Sequence, residues 1–131
     1  MFELIIASAL AVTLAAVGLV WLNPAAQFAS ARNTRRSADI AVIANAVGQN
    51  IADNRGVFTC VSGAIPTAAA TIMASSSGAY NIAPCLVPAY LVTLPYDPTA
   101  PGAQYASATN YNTAYTIIAS STTGSITFAA P

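Results

Sequence analysis

Side chains that could take part in catalysis or metal binding are scarce in this 131-residue chain. The charged residues are Glu3, Asp39, Asp53 and Asp97, with Arg32, Arg35, Arg36 and Arg55, and the chain has no lysine or histidine. Acid–base catalysis near neutral pH needs histidine or another group with a shifted pKa, and metal sites need clustered ligands. Because the two closest carboxylates are 14 positions apart, we predict no catalytic residue, metal site or cofactor, and hence no enzyme.

Three of the four arginines fall in the short segment Ala31–Ile40. Phosphate contact by a nucleic-acid-binding protein needs several clustered cations, and this chain has a net charge of zero. We therefore predict no specific nucleic-acid partner. A DNA- or lipid-binding role for Arg32, Arg35 and Arg36 is less favoured than a topology signal or a solvated helix face. Arg35 and Arg36 are spaced to pair with Asp39 within one helix. In an assembly, the three arginines could instead form salt bridges with Asp39 or Asp53 of a neighbouring subunit.

The two cysteines, Cys60 and Cys85, are separated by 25 positions. With no histidine and no nearby carboxylate, a zinc site is disfavoured. A disulfide is favoured over two buried free thiols. It would stabilise a small domain and would place that domain outside the reducing cytoplasm.

Hydrophobic residues make up 56% of the chain and charged residues only 6%, against roughly 25% charged residues in an average domain. A surface with so few charges would make a poorly soluble monomer. The composition is easier to explain if much of this surface is buried against lipid or identical neighbours than if the chain is a monomer in water.

An uncharged run of nineteen residues extends from Leu4 to Leu22. As a helix it would span about 28 Å, close to the hydrocarbon thickness of a bilayer. Trp21 lies where an aromatic side chain suits the membrane boundary, and Pro24 should kink or restart the helix. A signal peptide fits less well, because no basic segment precedes the run. A plain single-span anchor remains an alternative.

After Pro24 the apolar side chains follow helical spacing along one face, through Ile40, Ile43, Val47 and Ile51. The helix should end near Ala52, with Gly56 as its C′ residue. Beyond Gly56, short runs rich in β-branched and aromatic residues predict strands at 57–62, 79–83, 90–94, 114–119 and 125–129. The last two runs should form a hairpin; we predict a short helix at 66–75 and a long loop at 95–113.

The fold class predicted from these patterns is α+β. A long N-terminal helix, apolar in its first half and amphipathic in its second, packs on a small antiparallel sheet. We divide the chain into an apolar helix (1–24), an amphipathic helical half (25–56) and a β-rich head (57–131).

This order of elements resembles the bacterial type IV pilin and pseudopilin family. The likeness is carried by Phe2-Glu3-Leu4-Ile5-Ile6 with the apolar run, by the arginine-rich segment 31–40, and by Asp53-Asn54-Arg55-Gly56. Leu94-Pro95-Tyr96-Asp97-Pro98 is similar to an LPxDP loop in that group. The match is strong over residues 2–56 and weak beyond. Two features depart from the family pattern: Glu3 lies two places closer to the start than the family's glutamate, and no short basic leader ending in glycine precedes it.

The resemblance assigns Met1, Phe2, Glu3, Gly18 and Pro24 to filament assembly. It implies that the Glu3 carboxylate meets the N-terminal amine of a neighbouring subunit, which here is on Met1. The alternative places Glu3 in water at the membrane interface, near the positive end of the helix. If the sequence is the processed chain, Met1 is its methylated first residue; otherwise it is the initiator. A locally unwound stretch between Gly18 and Pro24 is expected in the filament.

By this resemblance the chain is a structural pilin. It would lie in the inner membrane before assembly and then in an extracellular filament that serves adhesion, motility or DNA uptake. Its partners would be identical subunits and the pilus assembly machinery. One alternative is a secretion pseudopilin, whose head often binds calcium. The other is a membrane-anchored binding module that never polymerises.

Overall fold

The computed structural model describes residues 2–21 and 23–131 of the chain. The predicted α+β class is confirmed, with a helical N-terminal region and a small antiparallel sheet of four strands. The helices are α1 (Phe2–Trp21), α2 (Pro24–Asp53) and α3 (Ala83–Leu86). The strands are β1 (Thr71–Ala74), β2 (Gln104–Ser107), β3 (Asn110–Ala119) and β4 (Ile126–Ala129). The chain forms two compact units, residues 1–35 and 36–131.

The N-terminal region is interrupted at Asn23, whose φ is +33°. Pro24 is the first residue of α2, a position where proline needs no hydrogen-bond acceptor and its fixed φ suits the helix. The Asn23 carbonyl accepts hydrogen bonds from the backbone N–H of Ala26 (3.1 Å) and of Gln27 (3.3 Å). The predicted restart of the helix at Pro24 is therefore confirmed. The backbone remains helical from Gly18 to Trp21, so this chain has no unwound stretch there; the unwinding expected in a filament stays a prediction.

Helix α2 ends at Asp53, and its C′ residue lies one position earlier than the sequence indicated. The Gly56 N–H donates to the carbonyl of Ile51 at 2.8 Å, the six-residue closure of a Schellman motif. Arg55 therefore occupies the left-handed C′ position, with φ of +59°, and Gly56 follows it with φ of +89°. The prediction of Gly56 as C′ was wrong by one residue, because Arg55 itself adopts the left-handed conformation at C′ and Gly56 follows it at a second positive φ.

The second half of α2 contributes its apolar stripe to the core of the head. Ile43, Ala46 and Val47 are buried in the same cluster as side chains of the sheet and of the segments around α3. The main members from those parts are Met73, Ile82, Leu86, Leu94, Tyr111, Tyr115 and Ile117. The helical spacing read from the sequence thus identifies the buried face correctly.

Strand β3 is the centre of the sheet. It pairs with β1 on one edge; on the other it pairs with β2 near its start and with β4 near its end. Alternate side chains from Tyr111 to Ile117 are buried, as expected for a strand with one face on the core. A bulge interrupts β3 at Ala114, whose φ is +63° and whose N–H is bound by the Asn112 side chain.

Several predicted strands and one predicted helix are not formed. Residues 57–62 and 90–94 are turns and irregular structure, and residues 79–83 contain only one bridge, between Tyr80 and Met73. The alanine-rich segment 66–75 contains β1 instead of a helix, because pairing with β3 outweighs a small difference in helix propensity. The predicted loop 95–113 includes β2 and the start of β3. The hairpin of β3 and β4 is confirmed, with Ser120 N–H bonded to the Ser125 carbonyl at 2.8 Å.

A core substitution should test the contribution of α2 to the head. Ile43 is fully buried and Val42, its neighbour in sequence, is 45% exposed. We expect Ile43→Ala to lower the free energy of unfolding by about 2–5 kcal/mol, through lost burial and the cavity left behind. Urea unfolding of the full chain in mild detergent, followed by the near-ultraviolet circular dichroism of the tyrosines, measures the change. Val42→Ala is the matched control and should cost less than about 1 kcal/mol; equal losses would contradict the packing.

Candidate functional site

The most constrained polar group in the head is the carboxylate of Asp97, which is 1% exposed. The Arg36 Nε–H donates to Asp97 Oδ2 at 2.7 Å, and Arg36 Nη2 forms an ion pair with the same oxygen at 2.7 Å. The other oxygen, Oδ1, accepts from the Thr99 backbone N–H (2.9 Å) and from the Thr99 hydroxyl (2.6 Å). Both carboxylate oxygens are therefore fully bonded inside the protein.

The electrostatics of Asp97 follow from these contacts. Burial by itself raises the pKa of a carboxyl group, because it disfavours the charged form. Here the hydrogen bonds from Thr99 and from Arg36, together with the Arg36 charge, outweigh burial, and the net pKa of Asp97 lies below its ordinary value of 3.8. Asp97 is thus held as a carboxylate at neutral pH.

The backbone of Asp97 occupies a gap in the sheet. Strand β2 pairs with β3 as far as Asn112, and β4 pairs with β3 from Thr116 onward. Between them, the Asp97 N–H donates to the carbonyl of Thr113 at 3.0 Å. The loop therefore replaces a strand at the one place on this edge of β3 where neither β2 nor β4 pairs.

Arg36 joins this loop to two other parts of the head. Its Nη2 donates to Thr99 Oγ1 at 3.1 Å, and its Nη1 donates to the carbonyl of Pro131 at 3.0 Å. One guanidinium on α2 thus binds both the Asp97 loop and Pro131, two residues beyond the end of β4. We call Arg36, Asp97, Thr99 and Pro131 the Arg36 clamp.

The sequence indicated a different partner for Arg36, namely Asp39 three residues later. The exposed helical pair would be worth only about 0.2–0.5 kcal/mol, whereas a buried carboxylate without a cation costs several kcal/mol. Asp97 therefore takes the guanidinium. The Asp39 carboxylate accepts a hydrogen bond from the Tyr115 hydroxyl at 2.9 Å. Burial, and next the hydrogen bond to Asp39, raise the pKa of Tyr115.

The predicted disulfide between Cys60 and Cys85 is present, with the two Cα atoms 5.1 Å apart. Asn50, buried on the apolar stripe of α2, fixes both cysteine segments. Its Oδ1 accepts from the Thr59 N–H at 2.9 Å, and its Nδ2 donates to the carbonyls of Thr59 (3.1 Å) and Cys85 (3.4 Å). Sequence reasoning missed this residue. The available signal was a polar residue three positions after Val47, within the stripe.

The residues assigned to assembly lie mainly on α1. Glu3 is exposed in its first turn, Phe2 is 83% exposed, Gly18 is within the helix, and Met1 is outside the described residues. Eight large apolar side chains of residues 2–17 are between 56% and 83% exposed. They are Phe2, Leu4, Ile5, Ile6, Leu10, Val12, Leu14 and Val17. No ion pair or hydrogen bond to the Glu3 carboxylate forms within residues 2–21 and 23–131.

The candidate salt-bridge residues all lie on α2 but differ in their partners. Arg32 lies exposed on α2 and Arg36 is bound in the clamp. Arg35 and Asp39 are both engaged in interactions within the chain, so the predicted Arg35–Asp39 pair stays a prediction. Among the described residues no group of three or more His, Cys, Asp or Glu side chains is arranged to hold a metal ion.

Within the described ranges, 2–21 and 23–131, no helix combines the length and the apolar character needed to cross a bilayer.

Comparison with known protein families, curated proteins and solved structures finds no match to this chain. The resemblance to type IV pilins therefore depends on the residues and on the order of elements.

The clamp should contribute to the stability of the head. Removing one partner of a buried ion pair leaves the other charge uncompensated, so we expect Arg36→Ala to lower the free energy of unfolding by about 3 kcal/mol at pH 7. Arg32→Ala, at an exposed position of the same helix, should change it by less than about 0.5 kcal/mol. Urea unfolding in mild detergent compares the two variants. Similar values for both would show that the ion pair contributes little.

The lowered pKa of Asp97 predicts acid sensitivity. Because the carboxylate is favoured in the folded state, its contribution is complete above the ordinary pKa of 3.8 and is lost as the pH falls through the lower folded value. We expect Asp97→Asn to reduce the loss of stability between pH 6 and pH 2, measured by urea unfolding across that range.

Ile117→Val serves as the control, because it destabilises the core without removing a carboxylate. It should lower stability and keep the pH dependence of the unmodified chain. An Asp97→Asn variant with that same pH dependence would contradict the electrostatic assignment.

Proposed function

We propose that this chain is a structural subunit of the type IV pilin kind, which polymerises by bundling its N-terminal helices. The observation that carries the proposal is the exposure of eight large apolar side chains on residues 2–17 of α1. Burying a Leu, Ile, Val or Phe side chain stabilises by about 1.5–3 kcal/mol. A surface of this size, on a helix whose only charge is at its start, favours coverage by other apolar helices.

In the proposed filament, the α1 helices of identical copies cover these apolar side chains. Small residues such as Ala7, Ala11 and Ala15 are spaced along α1, and they allow helices to approach closely. The N-terminal helical region would be apolar along α1 and would pack on the sheet through the second half of α2. This finer architecture belongs to the proposal, together with an extracellular filament as the final location.

The inner membrane is the proposed location before assembly, and the pilus assembly machinery the proposed partner. Both follow from the family resemblance and from the uncharged run Leu4–Leu22, whose last residue lies outside the described part of the chain. Adhesion, motility or DNA uptake would be properties of the filament.

The structural pilin is favoured over a calcium-binding pseudopilin head by the state of Asp97. This carboxylate is the only acidic group between residues 57 and 131, and Arg36 and Thr99 already bind both of its oxygens. A cation at this position would have to displace the clamp.

The role proposed for Glu3 is to meet the N-terminal amine of a neighbouring copy and set the register of the helices. Glu3→Ala should therefore reduce fibre formation about tenfold or more, because it leaves that amine without its counter-charge in an apolar bundle. Detergent removal from the purified full-length chain, followed by sedimentation and negative-stain microscopy, measures the fibres.

Thr13→Ala is the control on the same helix. The Thr13 hydroxyl bonds only to carbonyls of its own helix, Ala9 and Leu10, so its loss should leave assembly unchanged. Normal fibres from Glu3→Ala would remove Glu3 from the mechanism. A fully monomeric unmodified chain would favour the anchored, non-polymerising module.

A further inference from the structure

The chain has only eight charged side chains, and half of them interact within the molecule. Arg36 and Asp97 neutralise each other, and Arg35 and Asp39 each interact within the chain. The remaining four charged side chains, Glu3, Arg32, Asp53 and Arg55, are all exposed to solvent. Glu3 is on α1, where the proposed function already uses it. Of these four side chains, Arg32 and Asp53 are the other two that lie within a helix.

Asp53 lies at an electrostatically unfavourable position. It is the last residue of α2, where the helix dipole presents partial negative charge, and the last turn contains no basic side chain. Burial, and next the nearby Asp53 carboxylate, raise the pKa of Tyr90. Arg55 lies two residues further on, but no ion pair between Asp53 and Arg55 forms in the described structure. The end of α2 therefore presents a negative charge without a cation.

Arg32 is a positive charge that lies close to other positive charges on the helix. It precedes Arg35 by three residues and Arg36 by four, so each of these arginines is a neighbour on the helix surface and a like charge. No carboxylate within the described residues forms an ion pair with Arg32. When other copies cover this part of the helix, an unpaired guanidinium would lose its hydration without compensation.

We propose that the Arg32 guanidinium of one copy binds the Asp53 carboxylate at the end of α2 in a second copy. The inference rests on the proposed function, because polymerisation brings the copies together. A guanidinium matches a carboxylate with two parallel hydrogen bonds, which fixes orientation as well as charge. The pair sets which copy lies beside which, while the apolar side chains of α1 supply most of the cohesion.

Arg32 is a better partner than Arg55 because of the symmetry that each choice creates. Arg55 and Asp53 belong to one patch, so pairing them between copies would join the same surface to itself and close a two-fold dimer. Arg32 and Asp53 belong to different patches. Their contact is head-to-tail, which allows addition of copies without closure, as a filament requires.

Charge reversal in the full-length chain tests the contact. Arg32→Glu and Asp53→Arg should each reduce sedimentable fibre roughly tenfold after detergent removal, because each places like charges together. The double variant, with both substitutions, should recover fibre to within about twofold of the unmodified chain. Arg55→Glu is the control and should assemble normally. Near-ultraviolet circular dichroism checks that each head is folded.

The outcomes separate this contact from polymerisation itself. An unmodified chain that forms no fibres would overturn both the proposed function and the contact. Fibres that form normally with Arg32→Glu, or a double variant no better than the single ones, would overturn the contact alone. A loss with Arg55→Glu as large as with Asp53→Arg would indicate the closed two-fold arrangement and would also overturn it.

Discussion

The head depends on one constraint, which is that the buried Asp97 carboxylate must be paired. Its loop fills the gap between β2 and β4 along β3 through the Asp97 N–H, and the carboxylate of the same residue is buried. A buried charge is tolerated only with a counter-charge and full hydrogen bonding. Arg36 supplies the charge from α2, and Thr99 supplies the remaining donors. The ion pair therefore ties helix, loop and the end of β4 together, while Asn50 and the disulfide fix the segments beyond α2.

A second constraint concerns the apolar side chains of α1. The large apolar side chains of residues 2–17 are exposed, and the helix carries a single charge, on Glu3. In water such a surface is covered by lipid, detergent or protein. Burial in a filament, as proposed, would cover this surface and would also account for the scarcity of charge in the whole chain. Only eight side chains of the chain are charged, and four of them already interact inside the molecule, so few charges are left to keep a monomer in solution.

Local patterns predicted the parts of the fold that depend on nearby residues. The stripe through Ile43 and Val47, the restart at Pro24 and the β3–β4 hairpin follow from helical spacing, proline geometry and turn residues within a few positions. The strand β1 was missed because Thr71–Ala74 lies in an alanine-rich segment, and only its pairing with residues some forty positions later makes it a strand. Asp97 was expected in a surface loop because nothing near it in sequence indicates burial; its partner is 61 positions away. Asn50 was missed because the groups that it bonds lie outside α2. They are the N–H and carbonyl of Thr59 and the carbonyl of Cys85.

In the proposed filament, α1 is covered by the α1 helices of other copies. The most direct measurement is an electron cryomicroscopy map of the material that the full-length chain forms when detergent is removed. The account predicts α1 helices bundled along the fibre axis, with apolar side chains of residues 2–17 within about 4.5 Å of those of neighbouring copies. Fibres in which residues 2–17 face solvent, or in which the heads alone make the contacts, would contradict it.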